Sequence, residues 1–265
     1  MLLAEPEPTR ADVKFSLAGL PVRVHPGFWI GTLLLGWDAS RGPGGGIEGL
    51  AWWILIVFVA ILAHELGHAL TARAFGATNT RIVLYWMGGL AISDGGLSRG
   101  RRIVELLMGP GAGFLLFGAV WLAVQAAGGP EQLSLKKLIA YEQLKWVCLA
   151  WGFVNLLPIY PLDGGQIAAE GFVARKGPAD GLIATLRLTC VTAAITSGVF
   201  GWLWWTNRMS GMAAFFFLIM AISAGVALAR IRRQLLEGGA GFPDDDLMPH
   251  ERAEWEKDPD WWKGK

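Results

Sequence analysis

Two histidines and a glutamate stand together in the stretch FVAILAHELGHALTARAF, Phe58 to Phe75, which is otherwise largely apolar. His64 and His68 are four residues apart, so on a helix they lie one turn apart on the same face. Two imidazoles at that spacing can grip one Zn2+, and Glu65 between them is near enough to act on a water at the metal. Each of these groups is costly in hydrocarbon, where a charged residue at a helix centre costs roughly 2.5–3.5 kcal/mol. The bland alternative is a pair of histidines hydrogen-bonded to neighbouring helices. The chain holds only 4 histidines, which makes a chance pair with a glutamate inside it a poor explanation.

A catalytic zinc takes three protein ligands and keeps one open position. The remaining histidines supply the third ligand badly. His250 falls in a polar tail, and His25 opens the segment VHPGF, where it reads as an interfacial residue or at most a gate. The third ligand is therefore expected to be a carboxylate at matching depth. NLLPIYPLDGG, Asn155 to Gly165, offers Asp163. Pro158 and Pro161 each remove a backbone donor and break a helix. Irregular backbone is tolerated inside a membrane only where it is buried in protein or lines a wet cavity. Two readings compete with Asp163 as a ligand. It could cap a following helix at GGQIAAEGF, or a different zinc hydrolase could take its third ligand from Glu105.

These groups need a scaffold, and composition says which solvent it meets. The chain is 53% hydrophobic and 17% charged, with 14 Trp and 36 Gly, and its mean hydropathy is +0.41. Soluble domains carry about 25% charge. Leu106–Pro130, Leu188–Trp205 and Met209–Ala229 hold no charged residue, and about 20 apolar residues span a bilayer as a helix. We expect an all-α polytopic membrane protein with six transmembrane helices, near 24–38, 49–75, 103–127, 143–161, 185–206 and 209–230. A small β element at the membrane surface should accompany them. KFSLAGLPVRV predicts a short strand pair, and TNTRIVLYWMGGLAISDGG, rich in β-branched and aromatic residues, predicts a strand or hairpin. The expected organisation is a cytoplasmic N-terminal segment (1–23), a six-span domain (24–233) and a polar tail (234–265).

Orientation follows from basic residues. Arg73, Arg81, Arg99, Arg101, Arg102, Arg175, Lys176, Arg230, Arg232 and Arg233 fall on one side of a six-span chain, together with the N-terminus. The positive-inside rule makes that side cytoplasmic. With span two entering from the opposite face near Gly49, His64 lies about 22 Å along the helix, within a core about 30 Å thick. The net charge of +1 is uninformative about nucleic acid, but no basic stripe appears, and no nucleic-acid partner is expected. Cys148 and Cys190, both in apolar runs, are expected to be packing residues. The N-terminus lacks the apolar core of a signal peptide.

HELGH in the second span and NLLPIYPLDGG in the fourth resemble the site-2 protease family of intramembrane zinc metalloproteases. Met87-Gly88-Gly89 in a surface strand, Gly109-Pro110 opening the third span and a VHP-type first span match it as well. The resemblance covers roughly residues 13–233 and fits the branch without PDZ or CBS domains. In GPGAGF the chain lacks the Asn that many members carry shortly after the Gly-Pro. The resemblance implies one zinc per chain on His64, His68 and Asp163, with Glu65 as general base and Asn155 as a polar helper near the scissile carbonyl. It implies a multi-pass protein of the cell membrane that cleaves single-pass or membrane-embedded proteins, with the site mouth on the cytoplasmic side. A transmembrane substrate must unwind, and a surface strand offers replacement hydrogen bonds. Arg81–Ile92, with Met87, Gly88 and Gly89, is the expected docking edge; the same segment could instead only plug the mouth. The alternative from another class is a non-proteolytic metal transporter or sensor. Transporters usually show internal repeats or several charged spans, and neither is present.

Overall fold

A computed structural model describes residues 5–36, 46–86, 88–206 and 211–236. Its first elements are β1 (Val13–Leu17) and β2 (Leu20–Val24), an antiparallel pair closed by Ala18 and Gly19. Both turn residues have positive φ, 51° and 73°, the two-residue turn whose twist matches that of the strands. Pro26 then opens α1 (Pro26–Leu35), and the His25 Nδ1 accepts the Gly27 N–H at 3.0 Å as its N-cap. α2 (Gly46–Ala74) ends where Gly76 takes φ 94° and the Ala77 N–H bonds back to the Ala72 carbonyl at 3.0 Å. That is the glycine-dependent helix stop. β3 (Thr78–Tyr85) runs parallel to β2, and β4 (Gly88–Asp94) returns antiparallel to β3. The order β1-β2-β3-β4 leaves β4 at an edge. The strand pair and the hairpin expected from composition are both present.

Alternation along the strands decides which face is covered. Leu20, Val22 and Val24 of β2, with Ile82 and Leu84 of β3, pack with Phe28 of α1 and Val57, Ile61, Leu62 and Ala69 of α2. The intervening Arg23, and Arg81 of β3, instead hold the N-terminal segment through the Glu5 carboxylate, at 2.7 and 2.9 Å.

The remaining elements are helical. α3 (Arg99–Ala126), a 3-10 turn (Pro130–Gln132), α4 (Leu135–Asn155), α5 (Asp163–Trp205) and α6 (Met212–Leu236) complete the order. Among the described residues, four helices are long and apolar enough to cross a membrane: α2, α3, α5 and Met212–Arg233 of α6. α1 is an apolar helix of only 10 residues, and the first half of α4 carries Lys136, Lys137, Glu142 and Lys145.

Several expected boundaries move. The helix expected as a fourth span, α4, ends at Asn155 rather than 161, three residues ahead of Pro158, because the residue before a proline is disfavoured in helical geometry. α3 begins at Arg99, so Gly109-Pro110 lies within it instead of opening it. The expected fifth span is the second arm of α5, beyond a break at Gly177 (φ 80°) and Pro178.

Residues 5–157 with 162–167 form one compact unit, in which α2 packs on α3, α4 and the sheet. Residues 158–161 and the described residues of 168–236 form a second. Within the second, Leu182 and Leu186 of α5 pack on Ala224 and Ile231 of α6. The Tyr160 N–H, in the proline-broken stretch, donates to the Thr189 hydroxyl at 2.9 Å. A side chain thus replaces a helical acceptor where backbone polarity would otherwise be uncompensated.

Candidate metal centre

α2 sets the first two groups. His64 and His68 are each 6% exposed, and their Nε2 atoms point at one another at 3.1 Å. Two contacts hold the His68 ring. Its Nδ1 meets the Glu105 carbonyl of α3 at 2.8 Å, which makes Nδ1 the protonated nitrogen and leaves Nε2 with a lone pair. Its edge lies against Gly109, where any Cβ would overlap the ring. Gly67, on the other side of the same turn of α2, is equally tight against the Met108 carbonyl. Small residues let the two helices approach this closely.

Asp163 arrives from the first residue of α5. Its Oδ2 lies 3.2 Å from the His64 Nε2 and its Oδ1 lies 3.4 Å from the His68 Nε2. The competing expectation, a helix-opening aspartate, describes its position in the chain, yet its carboxylate meets the histidines. Next to it, Gly164 presses on the Leu156 carbonyl so closely that a Cβ would clash. The DGG sequence therefore allows α5 to start hard against the end of α4.

These distances test a metal directly. Ligand atoms 2.0–2.1 Å from one tetrahedral ion stand about 3.3 Å apart. Here the two imidazole nitrogens are 3.1 Å apart, and the two oxygens of Asp163 approach them at 3.2 and 3.4 Å, one oxygen to each. With one ligand atom from each residue, the three lie within 4.8 Å of one another. Oδ2 of Asp163 is buried without a hydrogen bond, as expected of an atom whose partner is a cation. Two imidazole nitrogens and a carboxylate form a donor set suited to a divalent zinc-like ion. Among the described residues this is the one group of three or more such side chains that converges.

Glu65, 6% exposed, follows His64 on α2, and its side chain runs beneath Gly89 of β4. Asn155 is buried as the last residue of α4. Gly88 and Gly89 open β4, while Met87 and His250 lie outside the described residues. His25 is occupied elsewhere, capping α1 with its ring edge-on to Tyr85 at 4.9 Å. Glu105 is no member of the converging set. Its carbonyl serves His68, and its carboxylate accepts from Arg102 at 2.6 Å. Arg102 also reaches Gln166 on α5 at 2.8 Å. The sequence alone presents Glu105 as a rival ligand and Arg102 as one of the basic residues that set orientation, and gives Gln166 no role. The available signal was the one-turn spacing of Glu105 and Gly109 on a helix facing the histidines.

No family model matches the chain. Curated relatives do. A Synechocystis protein named as zinc metalloprotease sll0528 is 31% identical over 163 residues, 57% of this chain and 41% of its own length. A Mycobacterium tuberculosis protein named as zinc metalloprotease Rip3 is 30% identical over 174 residues, 61% of this chain and 43% of its own. The chain thus spans less than half the length of these relatives. Among solved structures, the site-2 protease from Methanocaldococcus jannaschii superposes with a TM-score of 0.54 at 21% identity, covering 82% of this chain and 95% of that one. The fold is shared. In sequence and in fold, the chain is similar to the zinc metalloproteases of the site-2 protease family.

Proposed function

We propose that this chain is a zinc-dependent intramembrane endopeptidase that hydrolyses peptide bonds in or near transmembrane segments of protein substrates. One observation carries the reading. His64, His68 and Asp163 converge, with Glu65 beside them, on helices apolar enough to cross a bilayer. When bound, zinc would lower the pKa of a water toward about 7 and polarise a scissile carbonyl. Glu65 takes up the proton as general base and returns it to the leaving amine. Asn155 supplies an amide donor for charge developing on the carbonyl oxygen. The edge strand β4, passing over Glu65 at Gly89, offers backbone hydrogen bonds to an unwound substrate segment. β3 pairs on both sides, which narrows the docking edge expected at Arg81–Ile92 to β4 itself. Gly89 then keeps a side chain out of the space between the strand and Glu65, and Gly88 begins the same edge.

In the full reading α1 and α4 join the other four helices as tilted or partial spans, giving six crossings. The Arg-rich loops and the site mouth then face the cytoplasm.

The test uses purified wild type and Glu65→Gln in detergent, with bound zinc quantified and cleavage of single-pass helices mapped by mass spectrometry. Both proteins should hold about one zinc, and only wild type should cut. Equal cutting by Glu65→Gln would remove Glu65 as the base. Zinc flux into liposomes without cleavage would favour the transporter.

A further inference from the structure

Asp163 sits at a vulnerable point. The seven residues before it, Leu156 to Leu162, belong to neither α4 nor α5, and they include Pro158 and Pro161. A metal centre needs Asp163 placed to within about 0.5 Å, and a non-helical stretch of this length gains from a second tie on the far side of Asp163. Gln166 is three residues beyond Asp163, one turn along α5, and its Oε1 accepts from the Arg102 Nη2 at 2.8 Å. The other guanidinium nitrogen, Nη1, donates to Oε2 of Glu105 at 2.6 Å. Glu105 is only 3% exposed, and its carbonyl is the acceptor for Nδ1 of His68. One planar guanidinium therefore spans the residue that orients His68 and the turn that carries Asp163.

We propose that Arg102, with Glu105 and Gln166, is a positioning brace that holds α5 in register with the histidine helix, so that Asp163 meets His64 and His68 at a common point. The inference rests on the reading of those three residues as metal ligands. Guanidinium suits the task because its donors are fixed in one plane and it remains charged. Lysine, with a single rotating ammonium on a flexible stem, would span the two acceptors less well.

The experiment compares Arg102→Met, Gln166→Leu, the double variant, Gln166→Glu and the control His64→Ala, all as full-length protein in detergent. Zinc retention is titrated against a competing chelator, thermal unfolding is followed by helical circular dichroism, and the Co2+-loaded proteins are examined by visible absorption. Arg102→Met and Gln166→Leu should each retain zinc about 10-fold or more weakly, as losses in the surroundings of metal ligands do. The cobalt spectrum should change in both; the metal-free melting temperature of Gln166→Leu should stay near wild type, while Arg102→Met, which strips the buried Glu105 carboxylate of its partner, should melt lower. The double variant should be no worse than the worse single, and Gln166→Glu, still an acceptor for Arg102, should stay close to wild type. Wild-type retention in both single variants, with zinc lost in His64→Ala, overturns the brace and spares the ligand reading. Additive losses overturn it too, since the residues would then act separately. Zinc retained by His64→Ala overturns the ligand reading itself. If Arg102→Met fails to fold, Gln166→Leu and Gln166→Glu decide the matter alone.

Discussion

Gly89 of β4 lies directly against the side chain of Glu65: a Cβ built on the glycine would come within 2.7 Å of Oε1 and closer still to the carbons behind it. A strand edge and the proposed general base therefore share one surface, with no atom to spare between them. The neighbouring Gly88 has open space on its Cβ side. Gly89→Ala should push the carboxylate aside and lower cleavage by about 100-fold, the scale on which a 1 Å misplacement acts. Its zinc content should not change, because Glu65 is not one of the converging ligands. Gly88→Ala should cut nearly as wild type. Equal activity in the two variants would separate the strand from the chemistry.

Gly109 gives a complementary prediction for the metal. The His68 ring fills the space where an alanine methyl would go, whereas Gly118 on the same helix faces open space. Gly109→Ala should displace the ring and weaken zinc retention about 10-fold or more. Gly118→Ala should hold zinc normally and, as a helix-interior glycine replaced, gain up to about 1 kcal/mol. Metal analysis of the two purified variants checks both halves. Full zinc occupancy and affinity in Gly109→Ala would show that His68 is not held where its ring now lies.

The contrast between these glycines shows what sequence could carry. The pairing of His64 with His68 was legible because it depends only on helical spacing, a local property. The β hairpins were legible from turn residues and β-branched runs. Chemistry and depth point to Asp163, and it meets the histidines from the first residue of α5, the helix-opening position the sequence also allows. Gly109-Pro110 looked like a helix start, yet its function in the fold is to admit an imidazole from another helix. That role, and the linkage of Arg102 to Gln166, depends on how α3 is rotated against α2 and α5. Hydropathy reports which segments are apolar and says nothing of such rotations. It also trims helices at their charged ends, so the expected span begins at 103 while Arg99, Arg101 and Arg102 belong to α3.

Thr189 predicts a stability effect away from the metal. It is fully buried, and its hydroxyl accepts the Tyr160 N–H at 2.9 Å. Thr189→Val keeps the shape and removes the acceptor, and a buried donor deprived of its partner costs about 1–3 kcal/mol. A lowered unfolding midpoint in detergent is expected, with Thr189→Ser closer to wild type because it keeps the oxygen. A valine variant as stable as wild type would mean that the Tyr160 N–H does not depend on this hydroxyl.

The N-terminal segment should respond to acid. Burial opposes the charge on Asp12, but hydrogen bonds from Thr9 and Arg23 outweigh it and hold the carboxyl below its ordinary value of 3.8. Thr9 donates through its hydroxyl at 2.6 Å and its amide at 3.1 Å, and the Arg23 guanidinium lies at 3.0 Å. A carboxyl depressed in the folded state stabilises it above about pH 4, and that contribution fades as pH falls through the lower folded value. Protection of the Thr9 and Asp12 amides, taken as the ratio of intrinsic to observed exchange rate at each pH, should therefore be present at neutral pH and should fall below about pH 4. Asp12→Asn should exchange faster at neutral pH and lose part of the acid response. If wild type and Asp12→Asn trace the same exchange profile from pH 7 to 3, the Thr9 and Arg23 contacts do not anchor the segment through Asp12.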